Sequence, residues 1–210
     1  MIRLVDFYDN VMVILALILI LVGSNITFVI YSGYVDRVFT QDNLIEIIWT
    51  LVPALILFFV AVPSLEVLYI IEDYYKFNLV IKCIGYQWYW SYEYGDFLGL
   101  EFDSYIIEDK YGCGLFRLLE VDNSVVVPNF CNVCVVVTGG DVIHSWVVPS
   151  LGLKVDCIPG RLNQLFFNSI RSGVFFGQCS EICGANHRFM PIKLEVVPIN
   201  YFKNWVTVNS

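Results

Sequence analysis

Histidine is almost missing from this chain: His144 and His187 are the only two in 210 residues, and methionine occurs three times. Any chemistry that needs imidazole must use one or both of these positions. Bases are scarce as well, 12 against 20 acids, for a formal net charge of −8. Gripping a phosphate backbone takes a basic footprint, so nucleic acid is excluded as a partner. Charged residues make up only 15% of the chain, and none falls between Asn10 and Val35. With 58% hydrophobic residues and a mean hydropathy of +0.68, the sequence is too apolar for an ordinary soluble domain. Seven cysteines is an odd number, without the framework of a small secreted domain.

What is there begins with two long apolar runs. Val11 to Val22 is entirely apolar within an uncharged stretch, and about 20 such residues cross a bilayer. The spacing predicts spans over about 11–34 and 44–71, joined by the polar turn Asp36 to Asn43. Pro53 and Pro63 fall inside the second span, which membrane helices tolerate. Residues 1–75 are thus expected to form a transmembrane hairpin in lipid, with both termini on one side. Arg3 outside the hairpin and Arg37 in its turn leave no positive-charge bias to orient it. Glu46 opens the second span, either complementing the helix dipole or feeding a proton path. Glu66 is expected at the far interface, where its carboxylate can reach water.

From residue 76 the pattern changes to short strand-like runs. They are Leu79–Ile84, Gln87–Tyr94, Leu115–Leu119, Val125–Val127, Val133–Thr138, Ile143–Val148, Asn163–Asn168, Val174–Gly177 and Ile192–Val197. Turns such as Gly139-Gly140, Pro159-Gly160 and Ser172-Gly173 punctuate them, and the combination argues for a β-sandwich or barrel over 76–210. Alternation puts Trp88, Trp90, Tyr92 and Tyr94 on one strand face, as core or interfacial rings. Acids are concentrated in residues 72–141, while bases outnumber them over 142–210. That asymmetry suits either a basic protein partner or ordinary solvated loops.

The densest cluster of metal-binding residue types is Cys179-Ser180-Glu181-Ile182-Cys183-Gly184-Ala185-Asn186-His187-Arg188-Phe189-Met190. Thiolate, imidazole and thioether form a soft donor set that selects copper over magnesium, calcium or manganese. A structural zinc site built on Cys179, Cys183 and His187 has no use for Met190. Buried, unliganded cysteines are the third reading. With His144, every donor is used if two thiolates bridge two coppers and each metal takes one histidine. Cys131 and Cys134 fall on a predicted strand with side chains facing opposite ways, which argues against a redox dithiol. Cys83, Cys113 and Cys157 read as small apolar residues.

The run from Cys179 to Met190, with His144-Ser145-Trp146 upstream, resembles the CuA site of cytochrome c oxidase subunit II. So do Gly85-Tyr86-Gln87-Trp88-Tyr89-Trp90, Leu118-Leu119-Glu120-Val121-Asp122-Asn123, Val148-Pro149-Ser150-Leu151-Gly152-Leu153-Lys154 and Pro159-Gly160-Arg161-Leu162-Asn163-Gln164. They keep the family's order over roughly residues 44 to 203. Tyr86 departs from the histidine usual in the family. The resemblance implies an α+β membrane protein, a two-helix hairpin followed by a cupredoxin-like Greek-key sandwich. Its implied activity is electron entry: cytochrome c reduces a dicopper centre, which passes the electron to the haem of subunit I, supporting oxygen reduction and proton pumping.

The same resemblance implies that Cys179 and Cys183 bridge two coppers. His144 and Met190 complete one, and His187 with the Glu181 carbonyl completes the other. The Glu181 side chain would help hold Mg²⁺ shared with subunit I. Trp88 is the implied electron-entry ring, and Glu46 the implied mouth of a proton path. Glu93, Asp96, Asp122 and Asp141 are expected to dock cytochrome c. Further oxidase subunits are implied partners. A quinol oxidase subunit would lack the copper donors, and nitrous oxide reductase would need a large further domain and no hairpin. Met1 to Asn10 lacks the Arg- and Ser-rich, acid-poor pattern of a transit peptide. So apolar a chain without a cleavable presequence points to synthesis inside the mitochondrion, and a bacterial chain would carry a signal peptide or longer N-terminal arm. The mitochondrial inner membrane, with the copper domain in the intermembrane space, is therefore favoured over a bacterial plasma membrane.

Overall fold

The computed structural model describes residues 2–34, 38, 41–72, 76–107 and 116–209. Two compact units divide the chain at residues 73 and 74. The first is a pair of helices, α1 (Ile2–Ser32) and α2 (Asn43–Glu72). Both are long and apolar enough to cross a membrane. Helix α1 starts nine residues before the span predicted at about 11–34 and stops two residues short of its end, and α2 extends the span predicted at 44–71 by one residue at each end. The helix α1 stops at Gly33, whose φ of +64° is the left-handed conformation that closes many helices. Asp42 caps α2, its Oδ1 accepting from the backbone N–H groups of Leu44 at 2.8 Å and Ile45 at 3.3 Å. Polar side chains inside α1 turn back on their own helix: Asn25 Nδ2 donates to the Leu21 carbonyl and Thr27 Oγ1 to that of Gly23. Asp36 and Arg37 lie outside the described residues.

The second unit is a β-sandwich. One sheet holds β1 (Leu79–Tyr86), β2 (Tyr89–Tyr94), β3 (Glu101–Ser104), β5 (Asn132–Gly139) and β8 (Asn163–Asn168), in the order β3-β2-β1-β5-β8. A second sheet holds β4 (Val125–Pro128), β10 (Pro191–Val197) and β9 (Gly173–Gln178), and a separate pair is formed by β6 (His144–Val148) and β7 (Leu153–Cys157). β1 runs parallel to β5 and β10 parallel to β4, so the chain crosses between sheets rather than folding as a simple meander. Between the layers lie Ile81, Trp90 and Tyr92 from the first sheet, Val127, Ile192 and Leu194 from the second, and Trp146 from β6, all with 0–1% of their surface exposed. The Tyr94 hydroxyl stitches the layers by accepting from the Val126 N–H at 2.9 Å and donating to the Val126 carbonyl at 2.8 Å.

Several expectations change. Phe116–Leu119 is a turn rather than a strand, with Leu118 at φ +65° and the Leu119 N–H bonded back to the Phe116 carbonyl; Leu115 lies outside the described residues. Gln87 and Trp88 form the turn between β1 and β2 instead of starting a strand. Strands β3 and β7 were not anticipated, nor was α3 (Ile199–Asn209), which follows Pro198 and buries Phe202 and Val206 against the sandwich.

Candidate metal centre

Antiparallel pairing builds the ligand loop. β9 and β10 are in register with Pro191 opposite Gln178, so the next residues outward, Cys179 and Met190, meet at the loop's neck. The Cys179 N–H donates to the Met190 carbonyl at 3.4 Å, and the Ser180 N–H ties the loop to the Ser145 carbonyl of β6 at 3.2 Å. Within the loop, Cys183 is followed by Gly184, at φ +128°, and the Gly184 carbonyl accepts the His187 N–H at 3.2 Å. That reversal brings His187 Nδ1 to 3.4 Å from Cys183 Sγ. His144 arrives from the first position of β6, fully buried, with Nδ1 3.9 Å from Cys179 Sγ.

The two sulfurs stand 4.0 Å apart. That is far beyond a disulfide bond of about 2.05 Å, yet two metal–sulfur bonds of about 2.3 Å each can span it. Met190 Sδ lies 3.6 Å from Cys183 Sγ, and the Glu181 carbonyl 3.4 Å from Cys179 Sγ. All six expected donors therefore gather around one pair of sulfurs. Among the described residues, the ligating atoms of His144, Cys179 and Cys183 all lie within 4.8 Å of one another. Met190 is 1% exposed and sits with the sulfurs, not apart from them. A zinc site of two cysteines and two histidines would leave that thioether idle; the set fits soft copper.

Electrostatics favour a cation here. Burial pushes the Cys179 thiol up, but the contact with His144 Nδ1 and the backbone hydrogen bonds at Glu181 and Ser145 outweigh it and leave it below its ordinary value. Cys183 is pushed up to about 12 by burial and by the neighbouring Cys179 thiolate. Two thiolates side by side repel, and a metal ion bound between them would favour the deprotonated form of both.

Behind His144, Nε2 lies 2.9 Å from Asp141 Oδ1. The Asp141 carboxylate also accepts from the Val142 N–H at 2.6 Å and the Gln87 N–H at 2.7 Å. Burial raises the Asp141 carboxyl, but the His144 contact and these backbone donors prevail and hold it below the usual carboxylate value. A carboxylate on the outer imidazole nitrogen fixes the tautomer, leaving Nδ1 free to bind metal. The Trp90 indole donates to the Met190 carbonyl at 3.2 Å, fastening the loop to the core.

The remaining predicted residues are spread out. Trp88 is half-buried against the ligand loop: a Cβ on Gly184 would sit 3.1 Å from its Cζ2. Its Nε1 is shielded from solvent without a hydrogen-bond partner among the described residues. Glu46 lies in the first turn of α2, in the other unit. The four acids are not gathered at the metal end. Asp141 is there. Asp122 bonds the N–H of Tyr105, whose ring stacks on Tyr89 beside the Gln87–Trp88 turn. Glu93 is tied to Lys82 at 2.7 Å, three residues down β1 from Gly85, and Asp96 accepts from the Val80 N–H nearer the strand's opposite end. Cys134 is buried, Cys131 is half-buried, and Cys83 and Cys157 are fully buried. Cys113 lies outside the described residues. Asp141's hold on His144 had a sequence signal, an acid three residues before a histidine; Gly85 and Gln87 stood in a motif of the resembled family, but nothing in the sequence tied either to the metal ligands.

Comparison with known proteins matches residues 79–197 to the family described as cytochrome c oxidase subunit II, periplasmic domain, and residues 1–67 to the same subunit's transmembrane domain. The chain is 51% identical to cytochrome c oxidase subunit 2 of Drosophila melanogaster over 209 residues, covering 99% of this chain and 92% of that one. The Drosophila lowei subunit is likewise 51% identical, over 211 residues with the same coverage. Among solved structures, the periplasmic domain of subunit II of cytochrome oxidase of Bradyrhizobium japonicum is similar at 49% identity and a TM-score of 0.60, covering 64% of this chain and 95% of that domain.

Proposed function

Since the chain belongs to the cytochrome c oxidase subunit II family, we propose that it is the electron-entry subunit of its oxidase. Reduced cytochrome c gives one electron to the head, and the electron passes on to the haem of subunit I, where oxygen is reduced to water and protons are pumped. A pair of copper ions would supply the one-electron carrier. The thiolates of Cys179 and Cys183 would hold both, with His144 and Met190 completing the donor set of one and His187 with the Glu181 carbonyl that of the other. The observation that carries this reading is the convergence of these six donors on two sulfurs 4.0 Å apart.

The protein's part is to hold this set rigid. Little rearrangement of the ligands on gain or loss of an electron means little barrier to transfer, and burial of His144, both cysteines and Met190 keeps water from reorganising around them. The Glu181 carboxylate, half-exposed beside the centre, is assigned to Mg²⁺ shared with subunit I, an ion that keeps waters and shares few protein ligands. Trp88 is the entry ring, supported by its packing on Gly184. Asp122 and Asp141 supply the negative rim for a basic cytochrome c. Glu46, at the end of a membrane helix, is assigned to the mouth of a proton path. Full-length likeness to the Drosophila subunits supports the mitochondrial inner membrane, with the head in the intermembrane space.

Flash-initiated electron transfer on the purified oxidase tests this. Reduction of the copper band before the haem is the expected order. Direct haem reduction by cytochrome c, with no copper phase, contradicts it.

A further inference from the structure

Gln87 stands where three parts of the head meet. It occupies the turn between β1 and β2, immediately before Trp88. Its side-chain Nε2 donates to the Cys183 carbonyl at 2.7 Å, across 96 residues of sequence. Its backbone N–H donates to Asp141 Oδ2 at 2.7 Å, and Asp141 in turn contacts His144 Nε2 at 2.9 Å. One residue therefore bonds to the thiolate loop with its amide and to the histidine side with its backbone.

What the side-chain bond fixes can be followed along the loop. The Cys183 carbonyl belongs to the peptide that enters Gly184, the residue at φ +128° where the chain reverses. Side chains rarely adopt that conformation, and a Cβ there would meet Gln87 Nε2 and the Trp88 ring at 3.1 Å. The reversal returns His187 to Cys183 through the bond from its N–H to the Gly184 carbonyl. Releasing the Cys183 carbonyl frees the peptide whose orientation sets both the Cys183 sulfur and the His187 ring. The same release loosens the face on which Trp88 rests.

We infer that Gln87 is a positioning residue of the metal centre, holding Cys183 and His187 in register with His144 and seating Trp88 on the ligand loop. It touches no metal itself. Partners of this kind, one bond removed from the ligands, typically change metal affinity or activity by about 10- to 100-fold when lost. This rests on the dicopper reading above.

The test uses Gln87→Leu, which has no donor, and Gln87→Glu, whose carboxylate repels the Cys183 carbonyl. Gln87→Asn keeps the amide but is one methylene short of its partner, and guards against a fold defect in the other two. Each is made in the full chain within the oxidase. The expected result is two coppers per chain with altered near-infrared absorbance and copper hyperfine splitting. Loss of copper to a chelator should be about 10-fold faster than in wild type. Gln87→Glu separates this role from a simple docking contact, because its added negative charge would speed cytochrome c association while leaving the spectrum native. Native spectrum and native copper retention in Gln87→Asn and Gln87→Glu overturn the inference. A wild-type oxidase lacking a paired-copper spectrum overturns the functional reading instead, and this inference with it.

Discussion

Gly85 lies against the His144 imidazole so closely that a Cβ would come within 2.8 Å of its Cγ and 2.9 Å of its Cδ2. The ring has nowhere to go: it is fully buried, with the Trp90 ring edge-on at 5.9 Å and the Asp141 carboxylate at its far nitrogen. Gly85→Ala is therefore expected to push the imidazole off its position. Overpacking of this sort costs about 1–3 kcal/mol. A lowered thermal midpoint together with faster copper loss checks it; unchanged values for both would mean the ring has slack.

Cys179→Ser and Cys183→Ser should each lose the paired centre, because a hydroxyl is a poor, hard donor in place of a bridging thiolate. Met190→Leu should keep copper and shift its reduction potential, since a weak axial thioether tunes more than it holds. Copper content and redox titration on the three variants read this out. Complete copper loss in Met190→Leu would reverse the ranking of ligands.

Neutralising acids should separate into three behaviours. Asp122→Asn should slow cytochrome c association at low salt and flatten its salt dependence, since rim charges act mostly on association rate. Asp141→Asn should do the same and also perturb the copper spectrum, because its carboxylate holds His144. Glu93→Gln should do little, its charge being matched by Lys82 at 2.7 Å. Stopped-flow rates across a salt series distinguish them, with screening strong beyond about 8 Å at physiological salt. Trp88→Ala should slow transfer inside the complex even at saturating cytochrome c. A wild-type rate there would remove Trp88 as the entry ring.

Glu46→Gln should leave copper reduction intact and slow steady-state oxygen consumption. Unchanged turnover would return Glu46 to complementing the dipole at the start of α2, beside the Asp42 cap.

The legible parts of the molecule were those written in local spacing. Long uncharged runs gave both helices, and the ligand loop was readable because five of the six donors fall within twelve consecutive residues. Alternation put Trp90, Tyr92 and Tyr94 on one face of β2, and that face is the buried one. What stayed hidden depends on contacts between distant segments. Glu101–Ser104, after Leu100, and Leu153–Cys157 do alternate apolar and polar residues, but at four and five residues they are too short to stand out until pairing with β2 and β6 is seen. The Leu118 turn defeated an apolar run that pattern alone reads as a strand. The helix α3 did carry a local signal, Phe202, Trp205 and Val206 at helical spacing after Pro198. The acids could not be placed at all from sequence, because β1 and β2 set how far each lies from the metal end.

Copper quantification with electron paramagnetic resonance on the full chain in its oxidase tests the central claim most directly. Two coppers bound to this chain are predicted, with one unpaired electron split equally by both nuclei into a multi-line pattern. One copper per chain with a four-line spectrum, or zinc in its place, would contradict the account.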